Sequence, residues 1–194
     1  MLSKLDAVNL MLDAIGESPV NSLSSGLGDA ENAERVLNQT SKDVQARGWY
    51  CNSERNVTLV RDATNKIPLP ANCLKVDSTG EDKIREVVMR EGYLYDLDNK
   101  TFVFDKNISC DIIYFLDWPQ ITYALQRYIV ALASRKFQQI SPTSASLDAM
   151  IEREVTEAWG QLLDEEAEIE DSNVLRDNAH SYAMTWRNNP RWSL

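Results

Sequence analysis

The side chains able to do acid–base, nucleophilic or metal chemistry are scattered through this chain, and their spacing decides what they could do. His180 is the only histidine. A Ser-His-Asp or Cys-His site built on it needs a rigid setting, which the C-terminal sequence around it does not promise. Acids are plentiful, with 30 Asp and Glu. A glycosidase needs two carboxylates held about 5–10 Å apart, and among so many acids such pairs arise by chance. Trp118 or Trp159 beside acids could line a sugar groove, but each suits a core or an interface better. Asp96-Leu97-Asp98 opens like a calcium loop, yet Lys100 takes the third ligand position and the later glycine and glutamate are missing. A hairpin turn fits the same residues. Cys51, Cys73 and Cys110 are far apart with no CxxC pair, which argues for reduced thiols and against a disulfide framework or zinc site. No glycine loop of the dinucleotide or P-loop type exists. These residues predict no catalytic group, no cofactor and no metal.

The elements that would carry such groups read as helices at both ends and strands between. Leu5, Val8, Leu12 and Ile15 share one face of an opening helix from Leu2 to Ile15, started by Ser3 or Asp6 and stopped by Gly16 and Pro19. After a Ser- and Gly-rich loop, Asp29 suits the cap of a second helix with the stripe Ala33, Leu37, Thr40 and Val44, ended by Gly48. From Trp49 the period changes. Short β-branched or aromatic runs predict strands at 49–52, 57–60, 74–77, 86–90, 93–97, 101–104 and 111–116, with Asp98-Asn99-Lys100 as a hairpin turn. Pro119 closes that region. Ile121, Leu125, Tyr128, Ile129, Leu132 and Phe137 then form a third helical stripe, and Ser141-Pro142 breaks it. Leu147, Met150, Ile151, Val155, Ala158 and Leu162 form a fourth. So short a link makes the last two helices antiparallel neighbours.

The expected fold is therefore α+β and mainly helical: an antiparallel helix bundle with an inserted small antiparallel β-rich lobe and an extended C-terminal tail. Residues 1–48 supply helices one and two, 49–118 the insertion, 119–171 the helical hairpin and 172–194 the tail. At 43% hydrophobic and 26% charged residues, the composition is that of a soluble globular protein. No apolar run reaches the roughly 20 residues of a membrane span, and Asp6 and Asp13 interrupt any secretory signal.

The net charge of −10 is concentrated. Residues 152–171 hold nine acids and one base, a net of −8. That stretch reads as a solvated helix face, or as a surface that repels DNA or meets a basic partner. No basic stripe for binding a nucleic-acid backbone is visible. The tail carries Trp186, Arg187, Arg191 and Trp192, residue types that anchor interfaces.

Four stretches in register resemble one family. They are Leu5-Asp6-Ala7-Val8-Asn9 through Ile15-Gly16-Glu17-Ser18-Pro19-Val20; Leu37-Asn38 leading to Gln45-Ala46-Arg47-Gly48-Trp49-Tyr50-Cys51-Asn52; Gly92-Tyr93-Leu94-Tyr95-Asp96; and Arg127-Tyr128-Ile129-Val130 with Ala133-Ser134-Arg135-Lys136-Phe137. They are similar to the tail tubular protein A family, the head-to-tail adaptors of short-tailed phages related to T7.

The resemblance implies a structural virion protein made in the host cytoplasm. It would assemble as a twelve-membered ring between the portal protein and the nozzle protein (tail tubular protein B), with phage DNA passing through unbound and no membrane involved. On that reading Trp186, Arg187, Arg191 and Trp192 are portal-docking candidates. Glu152, Glu157, Asp164, Glu165 and Glu168 are candidates for a negative channel wall. The alternative is a tail-associated polysaccharide-degrading hydrolase using a carboxylate pair.

Overall fold

A computed structural model describes residues 1–24, 26, 28–140 and 145–177, with side-chain surroundings in the last helix for 149–169. The described chain is α+β, with four α-helices and two small antiparallel sheets. Pro142, the side chain of Leu147 and residues 178–194 lie outside that description.

Helix α1 (Lys4–Asp13) is shorter at both ends than its apolar pattern suggested. Ser3 caps it: its Oγ accepts the Asp6 N–H at 3.1 Å, and Asp6 Oδ2 accepts the Ser3 N–H at 3.3 Å, a reciprocal pair worth roughly 1 kcal/mol. Leu2 is drawn outside the helix because its N–H donates to Gln126 Oε1 at 3.0 Å. Gly16, at φ +81°, reverses the chain just past the end. Asn9 then pins Val20, accepting its N–H at 2.8 Å and donating to its carbonyl at 3.0 Å.

Helix α2 (Gly28–Gln45) buries the predicted stripe Ala33, Leu37, Thr40 and Val44. Asp29 sits within the first turn, two positions past the capping position, where its charge still meets the positive end of the helix. Helix α3 (Tyr123–Ile140) is the centre of the helical part, since α1, α2 and α4 all pack on it. Leu125, Ile129, Ala133 and Phe137 are buried on one side, while Tyr128, Ala131, Ser134 and Gln138 are buried on others. Helix α4 (Ala145–Asp177) continues past Asp171 into the residues expected to open the tail. Ile151, Ala158 and Leu162 face α3 with Val155 half-buried beside them. Met150, assigned to that stripe from sequence, is 69% exposed. It stands about 100° around the helix from Ile151, and the later apolar positions fix the facing side.

Between α2 and α3 the chain builds β1 (Ser53–Leu59), β2 (Cys73–Ser78), β3 (Val87–Arg90), β4 (Tyr93–Asp96) and β5 (Ile108–Tyr114). One sheet runs β1-β5-β2 and the other is the hairpin β3-β4, all antiparallel. Glu91 (φ +52°) and Gly92 (φ +78°) turn that hairpin, the two positive-φ positions that match strand twist. Leu59, Ile67, Val76, Leu94, Phe104, Ile108 and Ile112 form an apolar cluster separate from that of the helices.

Two expected strands are absent from the ladders. Residues 49–52 form a turn, because Trp49 is drawn into the helical core and Asn52 bonds backbone groups across the turn. Residues 101–104 contribute only isolated bridges, Thr101 to Asp96 and Val103 to Lys66. There the Val103 N–H donates to Thr101 Oγ1 at 3.1 Å instead of to a neighbouring strand. The turn at Asp98-Asn99-Lys100 does form. Asp96 closes it by accepting the Asn99 N–H at 2.8 Å and Nδ2–H at 2.9 Å, the work a calcium loop would have required of the same carboxylate.

Two buried acids lock the strand segment. Asp82 pairs with Lys106 at 2.7 Å and accepts the Ser109 N–H at 3.2 Å, and the lysine contact leads in holding its carboxyl below its ordinary value. Burial pushes Asp96 upward, but the Asn99 hydrogen bonds and Arg85 outweigh it and leave that carboxyl low as well. Both therefore stabilise the fold above the ordinary carboxylate range of about pH 4, and that contribution disappears as pH falls through their depressed folded values. Urea midpoints measured from pH 7 down to pH 2 should fall steeply at the acid end for the natural chain. Asp82→Asn should lower the neutral-pH midpoint and flatten the acid fall.

Candidate functional site

The backbone passes from helices to strands after α2 and returns before α3, and one buried polar cluster holds both passes together. Gln45, fully buried at the end of α2, accepts the Leu116 N–H at 2.8 Å and donates to the Leu116 carbonyl at 3.1 Å. Asn52 accepts the Trp49 N–H at 2.7 Å and donates to the carbonyls of Gln45 at 2.9 Å and Tyr114 at 2.7 Å. Its own carbonyl takes the Tyr114 N–H at 2.8 Å. Between them Gly48 sits at φ +83°, where a Cβ would come within 2.6 Å of Ile113 Cδ1. Only glycine combines that backbone with that approach.

Trp49 and Tyr50 carry this junction onto α4. The Trp49 indole N–H donates to the Val44 carbonyl at 2.8 Å, and its ring meets Trp159 edge-on at 5.7 Å. Trp159 also packs on Tyr128 at 5.0 Å, with the Arg47 guanidinium 5.8 Å over its face. The Tyr50 N–H donates to Glu166 at 2.8 Å and its hydroxyl donates to Glu165. Burial first, then the bond to Glu165, push the Tyr50 phenol above its ordinary value.

These contacts divide the acids of α4. Glu165 is half-buried against Tyr50, and Glu152 pairs with Arg135 at 3.2 Å. Glu157, Asp164 and Glu168 are exposed and form no ion pair among the described residues. Trp186, Arg187, Arg191 and Trp192 lie outside the described residues, as does His180. A cleft of about 230 Å³ beside Gly48 is lined by Arg47, Arg55 and Lys75 but equally by Glu54, Asp77 and Asp111, so it has no net attraction for either sign of ligand. The three cysteines are free, with Cys73 and Cys110 buried and Cys51 half-buried. Among the described residues no helix is long and apolar enough to cross a membrane.

The family match spans both halves of this architecture and the junction between them, since a family model described as Tail tubular protein matches residues 5–172. The chain belongs to the tail tubular protein family. It is also 32% identical over 121 residues to Tail tubular protein A of Klebsiella phage KP34, covering 62% of this chain and 63% of that protein. The matched part is thus under two thirds of that relative's length. Membership makes this tail tubular protein a structural component of a phage tail. Its run from Gln45 to Asn52, carried in the sequence by a likeness, acquires a physical reason here. Gln45, Gly48, Trp49, Tyr50 and Asn52 each make a contact described above that another residue type would lose. Sequence reasoning missed the clamp itself, because a Gln at a helix end and an Asn in a turn look like surface residues.

Tyr50→Phe should remove the hydroxyl bond to Glu165 and cost about 1 kcal/mol in chemical denaturation. Because the folded phenol titrates above the ordinary tyrosine range of about pH 10, its contribution is fully present below that range and is lost as pH rises from there through the raised folded value. Ultraviolet titration of the folded protein should show Tyr50 and Tyr114 ionising late, and the variant should lose the later of the two steps. Gly48→Ala should destabilise the chain by about 2 kcal/mol or more, read from the same denaturation curves.

Proposed function

We propose that this tail tubular protein is the head-to-tail adaptor of its virion. Copies form a twelve-membered ring between the portal protein and the nozzle protein, tail tubular protein B, and DNA passes through the middle. The four helices act as one antiparallel bundle that packs against neighbouring copies, with residues 49–118 inserted as a β-rich lobe. The observation that carries this reading is the tail tubular family match over residues 5–172.

The charge distribution supports the channel part of it. A subunit of net charge −10 makes a ring with little attraction for phosphate, and a basic wall would add contacts that ejection must break one by one. The exposed acids Glu157, Asp164 and Glu168 are the α4 residues available for such a wall. Glu152 and Glu165 contribute less, being engaged with Arg135 and Tyr50.

The C-terminal segment is the portal contact in this reading. Residues 178–194 contain Arg187 and Arg191 and no acid, with Trp186 and Trp192 beside them. Such a segment suits pockets in an acidic partner surface. Trp186→Ala combined with Trp192→Ala should weaken portal binding at least tenfold in a pull-down or by light scattering, about 1.4 kcal/mol, with an unchanged circular dichroism spectrum. Undiminished portal binding by that double variant would remove the docking assignment. A natural chain that never joins a portal ring would remove the adaptor reading.

A further inference from the structure

Helices α2 and α4 both pack on α3 and make little contact with each other, so each keeps an outward face. On α2 that face carries Glu31, Arg35 and Lys42, all exposed. On α4 it carries Arg153, Glu157 and Asp164, also exposed. Both sets step by four residues and then by seven, which keeps each trio on one stripe of its helix. Along the chain the signs read minus, plus, plus on α2 and plus, minus, minus on α4. Each helix could satisfy its first two charges internally, one turn apart. Neither pair closes, and none of the six side chains forms an ion pair among the described residues. The neighbouring charges on the same helices are committed elsewhere: Glu34 to Lys4, Asp43 to Lys136, Glu152 to Arg135 and Glu154 to Arg127.

We propose that α4 of one copy lies along α2 of the next, running in the same direction, with Arg153 opposite Glu31, Glu157 opposite Arg35 and Asp164 opposite Lys42. The two surfaces differ and sit on different helices, so the contact is head-to-tail and repeats from copy to copy, as ring closure requires. This rests on the ring reading above and gives it a seam. It also divides the exposed acids: Glu157 and Asp164 meet the neighbouring copy, and Glu168 remains for the channel wall. Exposed ion pairs are individually weak and weaken further with salt. The seam is therefore a register device whose strength comes from repetition around the ring.

The test is charge reversal followed by sedimentation velocity on the full chain, alone and with portal protein. Glu157→Lys with Asp164→Lys should raise the concentration needed for half-assembly about tenfold or more, and so should Arg35→Glu with Lys42→Glu. Combining all four reversals should bring assembly back to within about twofold of the natural chain. Raising salt on the natural chain should weaken assembly without any substitution, a readout independent of variant folding. Either reversed pair assembling like the natural chain, or a four-fold variant that fails to recover, would overturn the seam while leaving the ring intact. A natural chain that stops at two copies yet responds to the reversals would keep the seam and overturn the ring. A chain monomeric under every condition would overturn both.

Discussion

The structure depends on the contact at Gly48, where the turn after α2 meets the side chain of Ile113 near the end of β5 with no room for a side chain of its own. Everything that joins helices to strands is arranged around it. Gln45 holds the returning strand by both polar groups of Leu116, and Asn52 spans the outgoing turn and Tyr114. A buried amide that lost one of these partners would leave a desolvated polar group behind, a larger cost than the bond itself contributes. The cluster is therefore a fixed hinge, and it sets the angle at which the strand segment leaves the helices.

Helix α3 places the opposite demand on the helical half. Buried on several sides, it leaves the outer faces of α1, α2 and α4 to meet solvent. Trp159 gives α4 its seat by touching Trp49 and Tyr128 together. Glu165 and Glu166 extend that seat to Tyr50. The acidic helix is thus anchored through two of its own acids, and its negative charge is not all available to a partner.

Much of this was legible in the residues. The stripes of α1, α2 and α3 stood out because a one-sided helix repeats its apolar positions, and Gly16 and Gly48 marked chain reversals that the structure places at positive φ. The family likeness was legible too, through motifs whose spacing the fold now explains. Residues 49–52 misled because aromatic content imitates a strand when the aromatic belongs to another core. The run at 101–104 misled because a local Thr101 hydroxyl took the N–H a ladder needs. Among the α4 acids, the pattern could not separate Glu165 from Glu168. That distinction depends on Tyr50, which lies far away in sequence and is brought close only by the junction. Hydrogen bonds across such distances leave no periodic trace.

The separate apolar cluster of the strands bears on how the chain reaches this state. Helix α2 cannot meet its main partner α3 until the whole strand segment has been made, and closing so long a loop costs entropy before any helix contact repays it. A segment with its own core from Leu59 to Ile112 holds Asn52 and Tyr114 side by side at its two ends. The loop that α2 and α3 must close is then short. Loss of the strand core would lengthen that loop and raise the entropic cost of bringing α2 to α3.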